Sequence, residues 1–139
     1  MTIKAIMCDI DGTLLSSKGY VTDKTVEMIK KAREEGILFG LSTGRDVNSI
    51  QTLLKDWHID GLVDMIVGTG GAEIYDYTLD ISKAQYPLDG ESIKEIIAHF
   101  KDMDCNFAIP ENGELYAPKD DAHIQFLSKA DHVPYKVVN

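Results

Sequence analysis

The sequence predicts an α/β protein, with a parallel-sheet core first and a smaller α+β unit after it. Two observations predict this class. Short apolar runs alternate with amphipathic stretches of helical period up to about residue 71, and such a series gives a parallel sheet with right-handed crossovers. Beyond it, closely spaced turn signals favour antiparallel strands mixed with helices. We therefore expect a core over residues 1–82 and a second unit over 83–139.

The first element is the apolar run from Ile3 to Cys8, which ends in Asp9 and Asp11. An apolar run of this length predicts a strand buried on both faces, with Cys8 as a small buried hydrophobe. Side chains alternate along a strand, so both carboxylates are expected to point to the same side. Neighbouring carboxylates repel each other unless a cation lies between them, and Mg²⁺ prefers oxygen ligands.

Two helix–strand pairs follow. The first helix is expected to begin after Thr22 or Asp23 and to end at Gly36, before a strand over residues 37–41. Asp46 or Asn48 opens the second helix, whose expected buried face comprises Ile50, Leu53, Leu54 and Trp57. A third strand is expected over residues 62–67.

The remaining chain predicts shorter elements. The pattern favours an antiparallel ribbon over residues 72–77 and 81–86, then a helix that begins near Asp89. An Asn112-Gly113 turn predicts a hairpin of residues 105–109 with 114–116. A helix over about residues 122–129 and a strand over residues 134–138 complete the prediction.

The composition excludes several function classes. The formal net charge is −9, which disfavours both nucleic acid and an anionic membrane surface as partners. No apolar run is long enough to span a bilayer, and two cysteines are too few for a disulfide framework or a zinc site. We expect a cytoplasmic protein.

Polar residues follow each of the three predicted parallel strands, at residues 9–13, 42–45 and 68–71. Open parallel sheets bind ligands beyond the carboxyl ends of their strands. Hydroxyls, backbone N–H groups beside glycines and a guanidinium all suit a phosphate. Each segment alone also fits a plain turn or a helix cap. A calcium loop is excluded, because the glycine stands fourth and Tyr20 occupies the twelfth position.

The residues at the first two strand ends resemble the haloacid dehalogenase-like superfamily. The resemblance lies in Cys8-Asp9-Ile10-Asp11-Gly12-Thr13-Leu14-Leu15 and in Leu41-Ser42-Thr43-Gly44-Arg45. More narrowly, the chain resembles the Cof-type phosphatases, whose cap is inserted after the third core strand. This resemblance implies a Rossmann-like parallel-sheet core, incomplete here, followed by part of an α+β cap domain.

The resemblance implies a Mg²⁺-dependent phosphatase of small phosphorylated metabolites, sugar phosphates foremost, acting through an aspartyl-phosphate. Asp9 would be the nucleophile and Asp11 the acid–base, with the Asp9 carboxylate and the Asp11 backbone carbonyl at the metal site. The residues that the resemblance assigns to the phosphate or substrate are Gly12, Thr13, Thr43, Gly44 and Arg45. Relatives carry Asn-Gly where this chain has Gly70-Gly71, so the chain departs from the pattern there.

Two further parts of the family pattern, a lysine and an acidic loop, have no match in this sequence. We therefore expect an N-terminal fragment that is weakly active or inactive and that self-associates through exposed sheet edges. A non-catalytic fragment or interaction module that keeps the fold is the alternative expectation.

Overall fold

The computed structural model describes residues 2–138, in two compact units that divide between Gln85 and Tyr86. The first unit holds a five-stranded sheet with two helices, and the second holds a three-stranded sheet with two helices. The predicted α/β class is confirmed. The boundary expected after residue 82 falls within a strand, Ile81–Ala84, that belongs to the first sheet.

The first unit begins as a strand–helix–strand–helix–strand series. Its strands lie in sequence order across the sheet, the first three parallel and the last two antiparallel. Both the predicted parallel series and the predicted ribbon are present. The elements are β1 (Ala5–Cys8), α1 (Asp23–Glu34), β2 (Leu38–Ser42), α2 (Val47–Leu53), β3 (Met65–Gly68), β4 (Glu73–Asp76) and β5 (Ile81–Ala84).

Side-chain caps fix the starts of both helices. Thr22 Oγ1 accepts a hydrogen bond from Thr25 N at 3.2 Å, and Asp46 Oδ1 accepts one from Ser49 N at 2.9 Å. Gly36, with φ of 76°, follows the end of α1. The residues predicted for the buried face around α2 are all buried: Ile50, Leu53, Leu54 and Trp57.

The core of the first unit lies on one face of its sheet. Leu41 and Ile66 are fully buried there, in one cluster with the apolar residues of α1 and α2. On the opposite face, Met7 and Leu38 remain 43% and 46% exposed. The expectation that the first strand is buried on both faces is therefore wrong, because β1 is an edge strand and both helices pack on one side. Cys8 is correspondingly half-buried.

The second unit packs one helix on a small sheet. Its elements are α3 (Gly90–His99), β6 (Ile109–Glu111), β7 (Glu114–Ala117), α4 (Ala122–Asp131) and β8 (Tyr135–Val137). The hairpin of β6 and β7 turns at Asn112 and Gly113, both with positive φ, and β8 pairs parallel to β7. A small core joins the sheet to α4, through Leu115, Ala117, Ile124 and Val133.

The strand predicted over residues 105–109 is wrong except for its last residue, since β6 begins at Ile109. Asn106 explains the difference. Its side-chain amide donates to Lys119 O at 2.9 Å, and its Oδ1 accepts from Phe107 N at 2.9 Å. These local bonds compete with a strand ladder. Among residues 2–138, no helix combines the length and apolar character needed to cross a membrane.

Candidate active site

The candidate site lies at the edge of the first sheet where β1 and β2 end. These strands are parallel, so the segments that follow them emerge at the same edge. The first segment is a wide turn in which Leu14 N donates to Asp9 O and Leu15 N to Ile10 O, both at 3.1 Å. Buried Ile10 and Leu14 anchor this turn in the core. Its polar residues are left exposed at the tip: Asp9, Asp11, Gly12 and Thr13.

Gly12 allows the turn to close. Its φ is 82°, in the left-handed region that residues with a Cβ adopt at a cost. A Cβ built at this position would meet no heavy atom within 4 Å. The requirement for glycine here is therefore one of backbone conformation and not of space.

Asp9 has contacts from both sides in the sequence. Thr13 Oγ1 donates to Asp9 Oδ2 at 3.3 Å, and the Cys8 thiol donates to the Asp9 carbonyl at 3.2 Å. Burial, and to a smaller degree the negative charge of Asp9, raises the pKa of the Cys8 thiol.

Asp11 and Arg45 form a two-bond ion pair across the two segments. Arg45 Nε donates to Asp11 Oδ2 and Arg45 Nη2 donates to Asp11 Oδ1, each at 2.9 Å. The Asp11 side chain is 57% exposed, whereas that of Arg45 is 21% exposed. The pair therefore joins the turn after β1 to the segment after β2, residues that lie 34 positions apart in the sequence.

Thr43 and Gly44 occupy the turn between β2 and α2. Thr43 is buried, its N–H donates to Val67 O at 2.9 Å, and its Oγ1 accepts from Arg45 N at 3.2 Å. A hydroxyl that accepts one hydrogen bond can still donate its own hydrogen to an anion. Gly44 is exposed, and a Cβ there would meet no heavy atom within 4 Å.

The third predicted strand end supports the second segment. Thr69 N donates to Arg45 O at 2.8 Å, and Gly70 N donates to Thr43 O at 3.1 Å. A Cβ on Gly68 would come within 2.9 Å of Arg45 O, so these backbones approach too closely for a larger residue. The N–H groups of Thr69 and Gly70 therefore bind carbonyls of the protein, as expected of a segment that turns the chain.

The oxygen atoms at the end of β1 suit a hard cation. Mg²⁺ is commonly held by one or two carboxylates, with waters and substrate phosphates completing its shell. Asp9 supplies an exposed carboxylate and the turn adds the backbone carbonyl of Asp11, whereas the Asp11 carboxylate is held by Arg45. Across residues 2–138, no group of three or more His, Cys, Asp or Glu side chains is arranged to hold a metal ion. One exposed carboxylate and a backbone carbonyl, completed by waters and a substrate phosphate, are a donor set of the kind that holds Mg²⁺.

Every residue predicted for the site lies in the two segments that Arg45 and Asp11 join. Two contacts of the site were not predicted from the sequence. One is the Arg45–Asp11 pair itself, for which the rarity of arginine in this chain was the available signal. The other is Glu73 Oε2, which accepts from Val47 N at 3.0 Å at the start of α2. No sequence pattern marked Glu73.

Comparison with known proteins decides the family. The family model for haloacid dehalogenase-like hydrolases matches residues 6–138. The chain belongs to this family. It is 32% identical over 120 residues to the 5-amino-6-(5-phospho-D-ribitylamino)uracil phosphatase YwtE of Bacillus subtilis, a match that covers 85% of this chain and 39% of that protein. The resemblance predicted from the sequence is thereby confirmed.

Solved structures agree on the fold. A haloacid dehalogenase-like hydrolase from Bacteroides thetaiotaomicron matches 99% of this chain and 52% of its own, with a TM-score of 0.83 and 20% identity. A sugar phosphatase of HAD subclass IIB matches 96% of this chain and 52% of its own, with a TM-score of 0.77 and 21% identity. The chain thus spans about two fifths of the curated relative and about half of each solved chain.

Proposed function

We propose that this chain carries the nucleophile and acid–base groups of a phosphatase for small phosphorylated metabolites, with sugar phosphates as the leading substrate class. The observation that carries the proposal is the junction of the two strand ends, where Arg45 binds Asp11 beside Asp9 and Thr43. The names of two similar proteins, a phosphatase of a phosphoribitylamino compound and a sugar phosphatase, support the substrate class.

In the first step, an Asp9 carboxylate oxygen attacks phosphorus and forms an aspartyl-phosphate. The bond from phosphorus to the leaving oxygen breaks, and the protonated Asp11 carboxyl gives that oxygen its proton. The alcohol departs. The exposure of Asp9 at the turn tip supports this role, because an attacking carboxylate must reach a bound substrate.

In the second step, water attacks the phosphorus of the aspartyl-phosphate while the Asp11 carboxylate takes a proton from it. The bond between phosphorus and the Asp9 oxygen breaks, which releases inorganic phosphate and restores both carboxyl groups. The sum of the two steps is hydrolysis of one phosphate ester by one water. Proximity of Asp9 and Asp11 within one turn supports the double use of Asp11.

Charge neutralisation is the main requirement for a carboxylate that attacks a phosphate dianion. The Asp9 carboxylate and the Asp11 backbone carbonyl would hold Mg²⁺, which would supply positive charge near the phosphoryl group. The Thr43 hydroxyl donates to a phosphoryl oxygen, and Thr13 and the backbone N–H groups beside Gly12 and Gly44 donate to the same anion.

The proposal includes a cytoplasmic location. The two cysteines are free, as is usual in a reducing compartment.

The test compares Asp9→Asn with Asp60→Asn, an exposed aspartate outside the site. With a chromogenic phosphate ester and Mg²⁺, we expect weak turnover by the unchanged chain and by Asp60→Asn, and none by Asp9→Asn. Mass spectrometry of acid-quenched enzyme should detect a phosphoryl group on the peptide that contains Asp9. Turnover that persists in Asp9→Asn would refute the nucleophile assignment.

An interaction module is the second candidate, and one observation favours it. Met7 and Leu38 expose apolar surface beside the edge strand β1, where backbone groups are open to pairing. Self-association through this edge predicts a sedimentation coefficient that rises with concentration. A Met7→Lys variant should sediment as a monomer at concentrations where the unchanged chain associates. A monomer at all concentrations for both chains would remove this candidate.

A further inference from the structure

The guanidinium of Arg45 holds both carboxylate oxygens of Asp11. The two hydrogen bonds, from Nε and from Nη2, are each 2.9 Å long. Parallel bonds of this kind fix the plane of a carboxylate as well as its position. Asp11 is therefore the one proposed reacting group in the site whose orientation is set by another side chain 34 positions away in the sequence.

The backbone of Arg45 is fixed by its neighbours. Its N–H donates to Thr43 Oγ1 at 3.2 Å, and its carbonyl accepts from Thr69 N at 2.8 Å. Gly68 lies so close to this carbonyl that a Cβ would come within 2.9 Å of it. The backbone from which the Arg45 side chain extends is therefore held in place on both sides of its Cα.

Asp11 has a less rigid setting. It lies at the exposed tip of the turn after β1, beside Gly12 with its positive φ. Buried Ile10 and Leu14 anchor the backbone of that turn. Their side chains are apolar and cannot hydrogen-bond the Asp11 carboxylate. An exposed carboxylate samples several rotamers unless a partner selects one. The Arg45 pair is such a partner.

We propose that Arg45 is a positioning residue, which holds the Asp11 carboxylate where it takes a proton from water in the second step, and that it is not a ligand of the substrate phosphate. The inference rests on the proposed function, because it assumes that Asp11 is the acid–base. Arginine binds a phosphate with the same two-bond fork that it gives to Asp11 here. The two uses therefore compete for Nε and Nη2.

A first measurement tests the pair without any turnover. The chain has two arginines, Arg33 and Arg45, so a ¹⁵N-arginine sample gives two Nε–H resonances. In Asp11→Asn, hydrogen exchange at Arg45 Nε–H should quicken by at least about fivefold, because a charge-assisted bond is lost. The Arg33 resonance is the internal control and should not change. Unchanged exchange at Arg45 would overturn the proposal.

A second measurement separates positioning from phosphate binding. Inorganic phosphate is titrated in the presence of Mg²⁺ against the unchanged chain, Arg45→Lys and Thr43→Val. A positioning role predicts that Arg45→Lys keeps the Kd of phosphate within about twofold, whereas Thr43→Val weakens binding about tenfold by losing a donor to the anion. A tenfold loss in Arg45→Lys would make Arg45 a phosphate ligand and overturn the proposal.

Kinetics give the third arm. Arg45→Lys keeps the positive charge but not the fork, so kcat should fall about tenfold to a hundredfold while KM stays within about twofold. A change in KM with an unchanged kcat would contradict the inference.

If the unchanged chain binds no phosphate, the proposed function fails and this inference fails with it. If phosphate binds but exchange at Arg45 is insensitive to Asp11→Asn, the inference alone fails.

Discussion

The two arginines of this chain each bind an aspartate, at opposite ends of the same sheet. Arg45 pairs with Asp11 where β1 and β2 end, and Arg33 pairs with Asp64 where β2 and β3 begin. The chemical groups are the same in both pairs. Their surroundings are not, and the surroundings decide what each pair does.

The Arg33–Asp64 pair is integrated into the backbone. Arg33 Nη2 donates to Asp64 Oδ1 and Nη1 donates to Gly61 O, each at 2.7 Å, while Phe39 N donates to Asp64 Oδ2 at 2.8 Å. The Asp64 side chain is 11% exposed. Both oxygens of Asp64 thus join α1 and β2 to the loop before β3, and the pair stabilises the fold.

The Arg45–Asp11 pair is set differently. Its carboxylate is 57% exposed, and its aspartate lies at the tip of a turn whose buried residues are elsewhere. An exposed ion pair contributes little to folding, typically less than about 1 kcal/mol. The two-bond geometry fixes the plane of the Asp11 carboxylate, which is what a proton-transfer group requires. The comparison therefore separates a structural pair from a proposed functional pair by the burial of the aspartate and by its backbone contacts.

The largest expected effect breaks the structural pair. Asp64→Ala should lower the free energy of unfolding by about 3 kcal/mol, because it leaves Phe39 N and the half-buried Arg33 guanidinium without their acceptor. Asp11→Ala should lower it by less than about 1 kcal/mol. Urea unfolding followed by circular dichroism measures both. Equal losses in the two variants would contradict the distinction between the pairs.

The next effect tests whether the backbone of Arg45 is held by its close contact with Gly68. In Gly68→Ala, the new Cβ would lie 2.9 Å from Arg45 O and 3.1 Å from Val47 N, both backbone atoms with little freedom to move. Overpacking of this kind costs roughly 2 kcal/mol of stability.

Gly44→Ala is the matched control for that variant, since a Cβ on Gly44 meets no heavy atom within 4 Å and no positive φ is involved. It should unfold at nearly the same urea concentration as the unchanged chain. Comparable destabilisation by both substitutions would show that the close approach of Gly68 to Arg45 is not what limits this position.

A smaller effect refines the structural pair. Arg33→Lys keeps the positive charge near Asp64. It loses the second donor, Nη1, which in the unchanged chain donates to Gly61 O. We expect a loss of about 1 kcal/mol, the typical net value of one hydrogen bond. The same urea titration measures it. A loss as large as that of Asp64→Ala would mean that the Gly61 contact, and not the ion pair, dominates.

Much of the fold followed from local signals. The parallel series, the ribbon, the caps at Thr22 and Asp46 and the Asn112-Gly113 turn all rest on neighbouring residues, and the structure has each of them. The failures have a common cause. Whether the run before Asp9 is covered on both faces depends on which elements pack against it, and periodicity within the run carries no such information.

The candidate site divides in the same way. The strand-end residues of β1 and β2 were predicted from their types and positions, since a parallel sheet brings its carboxyl ends together. The partner of Arg45 was not predicted, because residues 11 and 45 are related by tertiary packing and by no sequence spacing. The same holds for Glu73, which binds the N–H of Val47 at the start of α2.

The smallest expected effect uses Cys8 to read the charge at the proposed functional end of the sheet. Burial and the Asp9 carboxylate both raise the pKa of the Cys8 thiol, so at pH 8 the thiol holds less of its reactive thiolate than an exposed cysteine would. Removing the charge in Asp9→Asn should lower that pKa part of the way, because burial is the larger cause. Alkylation of Cys8 by iodoacetamide, followed in a Cys105→Ser background that leaves one thiol, should quicken roughly twofold to threefold in Asp9→Asn.

Asp64→Asn, at the opposite end of the sheet, is the control and should leave the alkylation rate unchanged under conditions where the chain stays folded. An alkylation rate that is the same in Asp9→Asn as in the unchanged chain would mean that the Asp9 side chain has no electrostatic effect on Cys8, which would contradict the placement of the proposed nucleophile beside this thiol.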